Sequence, residues 1–419
     1  MQYAPPPGPP PDINESQQTQ YAPPPYPPPQ KPLIHSKSRI NEPYPIDLEL
    51  LAHQGWVSLP MIDSDLDLLY PTFSALFNSS AEFFTLPEEV KEKYRPQFKD
   101  KSHASEEGYS HIPGEKCLVT LRKVKMTPTE FELRERAEKA WKAGAALMHT
   151  VLLAIEDSLG MQRGTLERTV GPQMELPEQT HASLMRMFRY ERPLPHEGAL
   201  RTDSDTPDAN NTQEVASKDA PFPDNTSAPE SRIVSEAHRD LGLLTIVIGH
   251  TPGLECWSPE VGRWIACEEI PQPYDENGKP RLTATLLTGQ TLSRFTNNRY
   301  SSGRHRVLVH PMTPHTSSAS ENDNPLIDPS YRFSLVHALR AHYPVKVSSS
   351  EFTTSVTGHY PPPLRFADVS IREIYTAITN SHWNVNIDPE IRRKQQEDAK
   401  ERSRQLVEQQ AQALSAHSA

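Results

Sequence analysis

The pair His238 and Asp240, in Ala237-His238-Arg239-Asp240, offers an imidazole and a carboxylate that one metal ion could bind. The segment reads as the opening of a strand that continues over 241–248. Residues two apart on a strand share a face, so His238 and Asp240 would project together while Arg239 points away. A third ligand is available in His305, within Gly303-Arg304-His305-Arg306-Val307, at the start of a later strand. Two imidazoles and one carboxylate on one face of an octahedral ion leave three positions open. That arrangement suits a non-haem Fe(II) that must take both a co-substrate and O2. Downstream, Tyr331-Arg332-Phe333-Ser334 repeats the two-residue logic and sets a guanidinium beside a hydroxyl. An Arg fork with a neighbouring donor is a carboxylate anchor.

Such residues need a scaffold, and the hydropathy pattern supplies one. Residues 64–84 read as an amphipathic helix. A longer helix is expected from a capping box of Thr127 and Glu130, with Pro128 at its first position and Gly160 as its stop. Between them Trp141, Ala145, Met148, Leu152, Ile155 and Leu159 recur at three- and four-residue intervals and mark a core-facing stripe. The period then changes. Residues 183–190, 241–248, 254–257, 264–266, 283–287, 305–309 and 332–339 are short runs rich in β-branched and aromatic residues, separated by turn residues. Helices followed by many short strands predict an α+β chain, a β-sandwich or jelly roll with a helical buttress.

Composition narrows the classes further. Of 419 residues 35% are apolar and 43 are proline, and no stretch approaches the roughly 20 consecutive apolar residues of a membrane-spanning helix. The net charge is −11, and no Lys/Arg run is interleaved with aromatics, which argues against a nucleic-acid partner. Cys117, Cys256 and Cys267 are far apart and form no CxxC pair, so neither a disulfide framework nor a thiolate zinc site is indicated. The start of the chain lacks a basic and then apolar leader, which makes the cytoplasm the expected location. No GxSxG, P-loop or GxGxxG sequence is present. His250, His310 and His315 lack a strand-alternating carboxylate and read as surface histidines or as histidines that support the site without touching the metal.

Residues 1–33 hold 13 of the prolines and repeat YAPPP at 3–7 and 21–25. They read as a disordered polyproline-type tail, and Pro23-Pro24-Pro25-Tyr26 could dock weakly to a WW or SH3-type partner. One domain is expected over 34–387: a helical N-terminal part to about 180, a jelly-roll part over 181–345, and a C-terminal helical part over 346–387. Polar insertions are read at 194–235 and 313–330, and 388–419 is a charged helix or tail.

Taken in order, the motifs resemble the isopenicillin N synthase-like branch of the Fe(II)/2-oxoglutarate-dependent oxygenases, a double-stranded β-helix superfamily. The resemblance runs from about Ile46 to about Trp383. It is carried by Gly55-Trp56-Val57, by Glu82-Phe83-Phe84-Thr85-Leu86-Pro87 with Lys91, and by Gly108-Tyr109. In the second half it is carried by HRDLGLLTIV, GLECW, LTGQTLSRFTNNRYSSGRHRV and YRFSLVH. The resemblance implies that His238, Asp240 and His305 ligate Fe(II). It implies that Arg332 and Ser334 hold the distal carboxylate of 2-oxoglutarate, with Tyr190 reaching the same co-substrate. Tyr109, Arg122, Asn297 and Tyr300 fall in segments that often face the substrate pocket. The implied reaction uses O2 and 2-oxoglutarate to oxidise, by default to hydroxylate, a C–H bond of a small molecule, releasing succinate and CO2. Two alternatives remain at this point: an iron oxidase of the synthase type that dispenses with 2-oxoglutarate, and an inactive interaction protein on the same fold.

Overall fold

The computed structural model of the chain describes residues 46–60, 69–95, 107–171, 175–193, 231–249, 251–269, 283–310 and 330–379, and further on 390, 391, 393, 394 and 397. The Pro-rich tail, the WW-type motif and most of both polar insertions lie outside the described residues. The chain divides into a unit over 43–380 and another formed by 1–42 with 381–419. In the latter the described residues are helical, and Arg393 and Glu397 pair one turn apart at 3.9 Å.

The larger unit begins with α1 (Leu48–Gln54), β1 (Trp56–Pro60), α2 (Leu69–Thr85), the hairpin β2 (Gly108–Ile112) and β3 (Lys116–Leu121), and the long α3 (Leu133–Ser158). Strands β4 (Leu184–Glu191), β5 (Arg232–Arg239), β6 (Leu244–Gly249), β7 (Leu254–Ser258), β8 (Arg263–Ala266) and β9 (Thr283–Thr288) follow. Then come α4 (Gln290–Phe295), β10 (Arg304–Val309), β11 (Tyr331–Leu339) and α5 (Ile371–Thr379). One sheet has the order β1-β9-β6-β11-β4-β3-β2 and the other β5-β10-β7-β8, with every neighbouring pair antiparallel. From β4 to β11 the chain keeps crossing between the two sheets, which is the winding of a jelly roll.

Period-two alternation divides the large sheet between two cores. On β4, Met185 and Met187 join the helices, while Phe188 and Tyr190 face the space between the sheets. On β6, Ile246 and Ile248 join the helical core and Val247 the inter-sheet one. Both faces are therefore buried, which is why these strands read as nearly continuous apolar runs. Helices α2 and α3 pack on each other and on β11. The stripe from Trp141 to Leu159 is buried throughout, and each large side chain there contributes about 1.5–3 kcal/mol relative to exposure. The helix stops where expected, with Gly160 at φ 64°.

Three expectations about local structure need correction. The capping box is not made: the Thr127 hydroxyl donates to the Lys123 carbonyl (3.3 Å) and Glu130 accepts from the Tyr94 hydroxyl (2.7 Å). Phe131 and Glu132 take left-handed φ of 54° and 55°, so regular helix starts only at Leu133. The N-terminal part is not purely helical, since β1, β2 and β3 extend the large sheet. Finally β5 begins at Arg232, inside the stretch read as insertion to 235, because Ile233 pairs with Leu308 on β10 and Val234 is buried between the sheets. No described helix is long and apolar enough to cross a membrane.

Candidate metal centre

His238 is the penultimate residue of β5, and Asp240 lies just past the strand's end. The expectation that both sit on one strand running into 241–248 is therefore wrong in detail. β5 stops at Arg239, the chain bends over 241–243, and β6 begins at Leu244. The two candidate ligands converge because the chain crosses between sheets there, not because of strand alternation. His305 arrives from the neighbouring strand: β10 pairs antiparallel with β5, and His305 stands opposite His238. The two imidazole centroids are 4.3 Å apart. From Asp240 Oδ1 to the Nε2 atoms of His238 and His305 the distances are 3.8 and 3.9 Å. One ligand atom from each residue lies within 4.8 Å of the others, a grouping that could hold a metal ion.

Adjacent ligands of an ion bound at about 2.1 Å are about 3 Å apart. The observed separations exceed this by about 1 Å, within reach of small side-chain rotations. The tautomers also fit. His238 Nδ1 lies 2.7 Å from the Glu236 carbonyl and His305 Nδ1 3.2 Å from the Gly303 carbonyl. With Nδ1–H donating to the main chain, each Nε2 lone pair is turned toward Asp240 and is free to ligate. Burial, then the neighbouring His305, pushes His238 down to about 4, so it is neutral at physiological pH. Burial alone would raise the Asp240 carboxyl, but His305 and His238 outweigh it and hold the group below its usual range. Cys256 faces His305 across β7 and β10. Burial and the adjacent Cys267 push its thiol well up, and its sulfur is not among the converging ligand atoms.

Arg332 enters the same interior from β11, opposite Tyr190 on β4, and is 1% exposed. Its guanidinium carbon lies 5.6 Å from the Tyr190 ring centroid. Ser334, two residues along, is also buried and hydrogen-bonds Tyr190. Burial raises the Tyr190 phenol to about 12, so it keeps its proton and can donate. The structure thus brings Arg332, Ser334 and Tyr190 together. Cys256 lies in the electrostatic reach of both Asp240 and Glu268, the latter paired with Arg332. This links the His–Asp–His trio and the Arg332 cluster in one interior.

Two residues of this interior were not singled out in the sequence. Lys116 on β3 is fully buried, with Nζ donating to the Val234 carbonyl (3.1 Å) and 5.9 Å from the Tyr190 ring. Glu268 follows β8 and reaches Arg332 Nη2 with both oxygens, at 2.9 and 3.0 Å. The available signal was a carboxylate directly after the half-buried run 264–267, where a charge needs a partner. Of the segments expected to face substrate, Tyr109 bonds Glu88 (3.0 Å) and Arg122 the His181 carbonyl (2.6 Å). Asn297 holds the Thr357 carbonyl (2.9 Å), and the Tyr300 hydroxyl meets Ser158 (2.9 Å). These contacts tie elements of the scaffold together. His310 pairs with Ser231 at 2.8 Å, while His250 and His315 lie outside the described residues.

No family model matches the chain, and no curated protein matches it. Solved structures do. A full-length Neurospora crassa protein in complex with alpha-KG (2-oxoglutarate) is 17% identical over 78% of this chain and 87% of that one, with a TM-score of 0.50. The same protein with alpha-KG and 5-formyluracil gives 17% identity, 79% and 88% coverage and a TM-score of 0.50. JOX2 in complex with 2OG, Fe and JA gives 16% identity, 79% and 80% coverage, and again 0.50. At such identities the likeness establishes the fold, a jelly-roll core shared with 2-oxoglutarate-binding proteins.

Proposed function

We propose that this protein is an Fe(II)- and 2-oxoglutarate-dependent dioxygenase that oxidises, most simply hydroxylates, a C–H bond of a small molecule. The observation that carries the reading is the convergence of His238, Asp240 and His305 within 4.8 Å inside a jelly roll whose interior also receives Arg332. Bound there, Fe(II) would couple O2 reduction to decarboxylation of 2-oxoglutarate, yielding succinate, CO2 and the oxidised product. The chain's own residues do the rest. His238, His305 and Asp240 would hold the ion through two ring nitrogens and one carboxylate, a donor set that leaves room for exchangeable ligands. Arg332 and Ser334 orient the co-substrate through its distal carboxylate, and Tyr190 holds a proton at its phenol oxygen to donate to it. Phe188, Val247, Leu254 and Val307, packed between the sheets, keep bulk water away.

The Neurospora crassa and JOX2 complexes hold small molecules, 5-formyluracil and JA, in this fold. We extend to this chain the class of small molecules and not those compounds. The test is succinate release from 2-oxoglutarate by the iron-loaded protein in air. Turnover in the wild type that is lost in Asp240→Ala is expected; equal succinate from both proteins would remove the assignment.

A further inference from the structure

We infer that Glu268 is a specificity-determining residue of the Arg332 anchor, a built-in carboxylate that competes with the distal carboxylate of the co-substrate. The inference rests on the functional reading above and concerns how tightly this site takes a dicarboxylate. An Arg fork has five N–H donors. Here Nε donates to the Thr251 carbonyl (3.1 Å) and Nη2 to both oxygens of Glu268, while Nη1 is buried with no partner among the described residues. Glu268 is itself held. Its side chain is 7% exposed, and Oε2 also accepts from the Leu254 amide at 2.8 Å. The pair is therefore buried and hydrogen-bonded on both sides.

Two glycines clear its space. A Cβ at Gly249 would overlap Glu268 Oε1, and one at Gly253 would stand 2.5 Å from Arg332 Nε. Neither glycine is marked by positive φ; Gly249 provides room for the ion pair, while a Cβ at Gly253 would meet the Leu308 carbonyl as well as Arg332. The consequence is electrostatic. Arg332 and Glu268 sum to zero charge, so a distal carboxylate docking beside them adds a net negative charge in a poorly solvated interior. It can reach Nη1, but a two-bonded Nη1/Nη2 pairing requires Glu268 to turn away. Dicarboxylate affinity is thereby lowered relative to an unshared arginine. A 2-oxo acid without the distal carboxylate escapes the penalty.

The experiment compares wild type with Glu268→Gln, which keeps the size and one acceptor oxygen but removes the charge and the second acceptor. Anaerobic Fe(II) protein is titrated with 2-oxoglutarate and with 2-oxopentanoate, which can chelate iron but lacks the distal carboxylate, following the visible charge-transfer absorbance. The expected result is at least tenfold tighter 2-oxoglutarate binding in Glu268→Gln with 2-oxopentanoate binding unchanged. Unchanged or weaker 2-oxoglutarate binding would overturn the inference and leave the functional reading standing. No absorbance in either protein with either acid would remove the functional reading and the inference with it. Should the variant lose iron, glutarate serves as a metal-independent probe of the anchor. The rise in Tm with millimolar glutarate should then be larger in Glu268→Gln than in wild type, and an equal or smaller rise overturns the inference.

Discussion

His305 on β10 stands directly across from His238 on β5, ring to ring at 4.3 Å, with each Nδ1 on the carbonyl two residues before it. The repeated main-chain contact sets both rings so that Nε2 points at the same carboxylate. Turning either ring would break a hydrogen bond worth about 0.5–1.5 kcal/mol. Replacing His305 or Asp240 by Ala should therefore weaken Fe(II) binding by about 100-fold or more, read by anaerobic titration. Cys256→Ser should leave it nearly unchanged, because that sulfur is not among the converging ligand atoms. A large loss in Cys256→Ser would place a fourth ligand on β7.

The buried Arg332–Glu268 pair makes a prediction about stability independent of any cofactor. Arg332→Met leaves Glu268 charged and without its cation, a change that costs about 3–5 kcal/mol in buried pairs. The double variant Arg332→Met with Glu268→Gln should recover most of that loss. A double-mutant cycle by chemical denaturation measures the coupling. Additive effects of the two substitutions would show that the pair is not coupled.

His337 gives a pH dependence away from the metal centre. It is buried on β11, its ring 4.7 Å from that of Trp141, and burial pushes it from 6.5 down to about 3. The unfolded chain takes up this proton below pH 6.5, whereas the folded chain does so only near pH 3. Its contribution to stability is thus full above 6.5 and is lost as pH falls toward 3. His337→Phe should flatten the fall of Tm between those pH values. An unaltered slope would contradict a neutral buried His337.

The tyrosine at the anchor acts at the other end of the scale. Burial raises Tyr190 from 10.0 to about 12, so the unfolded chain ionises first. Its contribution is present below pH 10 and is lost as pH rises through 12, by about 3 kcal/mol at most. Tyr190→Phe should reduce the steepness of alkaline unfolding in that window. The same steepness in both proteins would show that the phenol is not held neutral by the fold.

Much of the fold was legible because the strands carry their own signal. Each run read as a strand between 183 and 339 lies within about three residues of an observed one, since β-branched and aromatic residues suit a sheet buried on both faces. The candidate ligands were legible by type and order, but the cause of their convergence was not. Alternation predicts a shared strand, whereas a bend at 241–243 and the crossing to the other sheet place Asp240 beside His238. β2 and β3 escaped because Ser110, His111 and Lys116 break their apolar pattern, and β4, which joins their hairpin to the sheet, lies far along the chain. The failed capping box reflects tertiary competition, as Tyr94 takes the Glu130 carboxylate. Glu268 carried only the weak signal of a carboxylate after a half-buried run, since its partner Arg332 lies 64 residues away.

In the proposed function His238, Asp240 and His305 hold an iron that 2-oxoglutarate can join. The most direct measurement is the anaerobic visible spectrum on adding Fe(II), then 2-oxoglutarate. A charge-transfer band that appears only with both, is absent in His305→Ala and is weakened in Arg332→Ala is the predicted result. Failure of the wild-type protein to bind Fe(II), or a band that persists in His305→Ala, would contradict it.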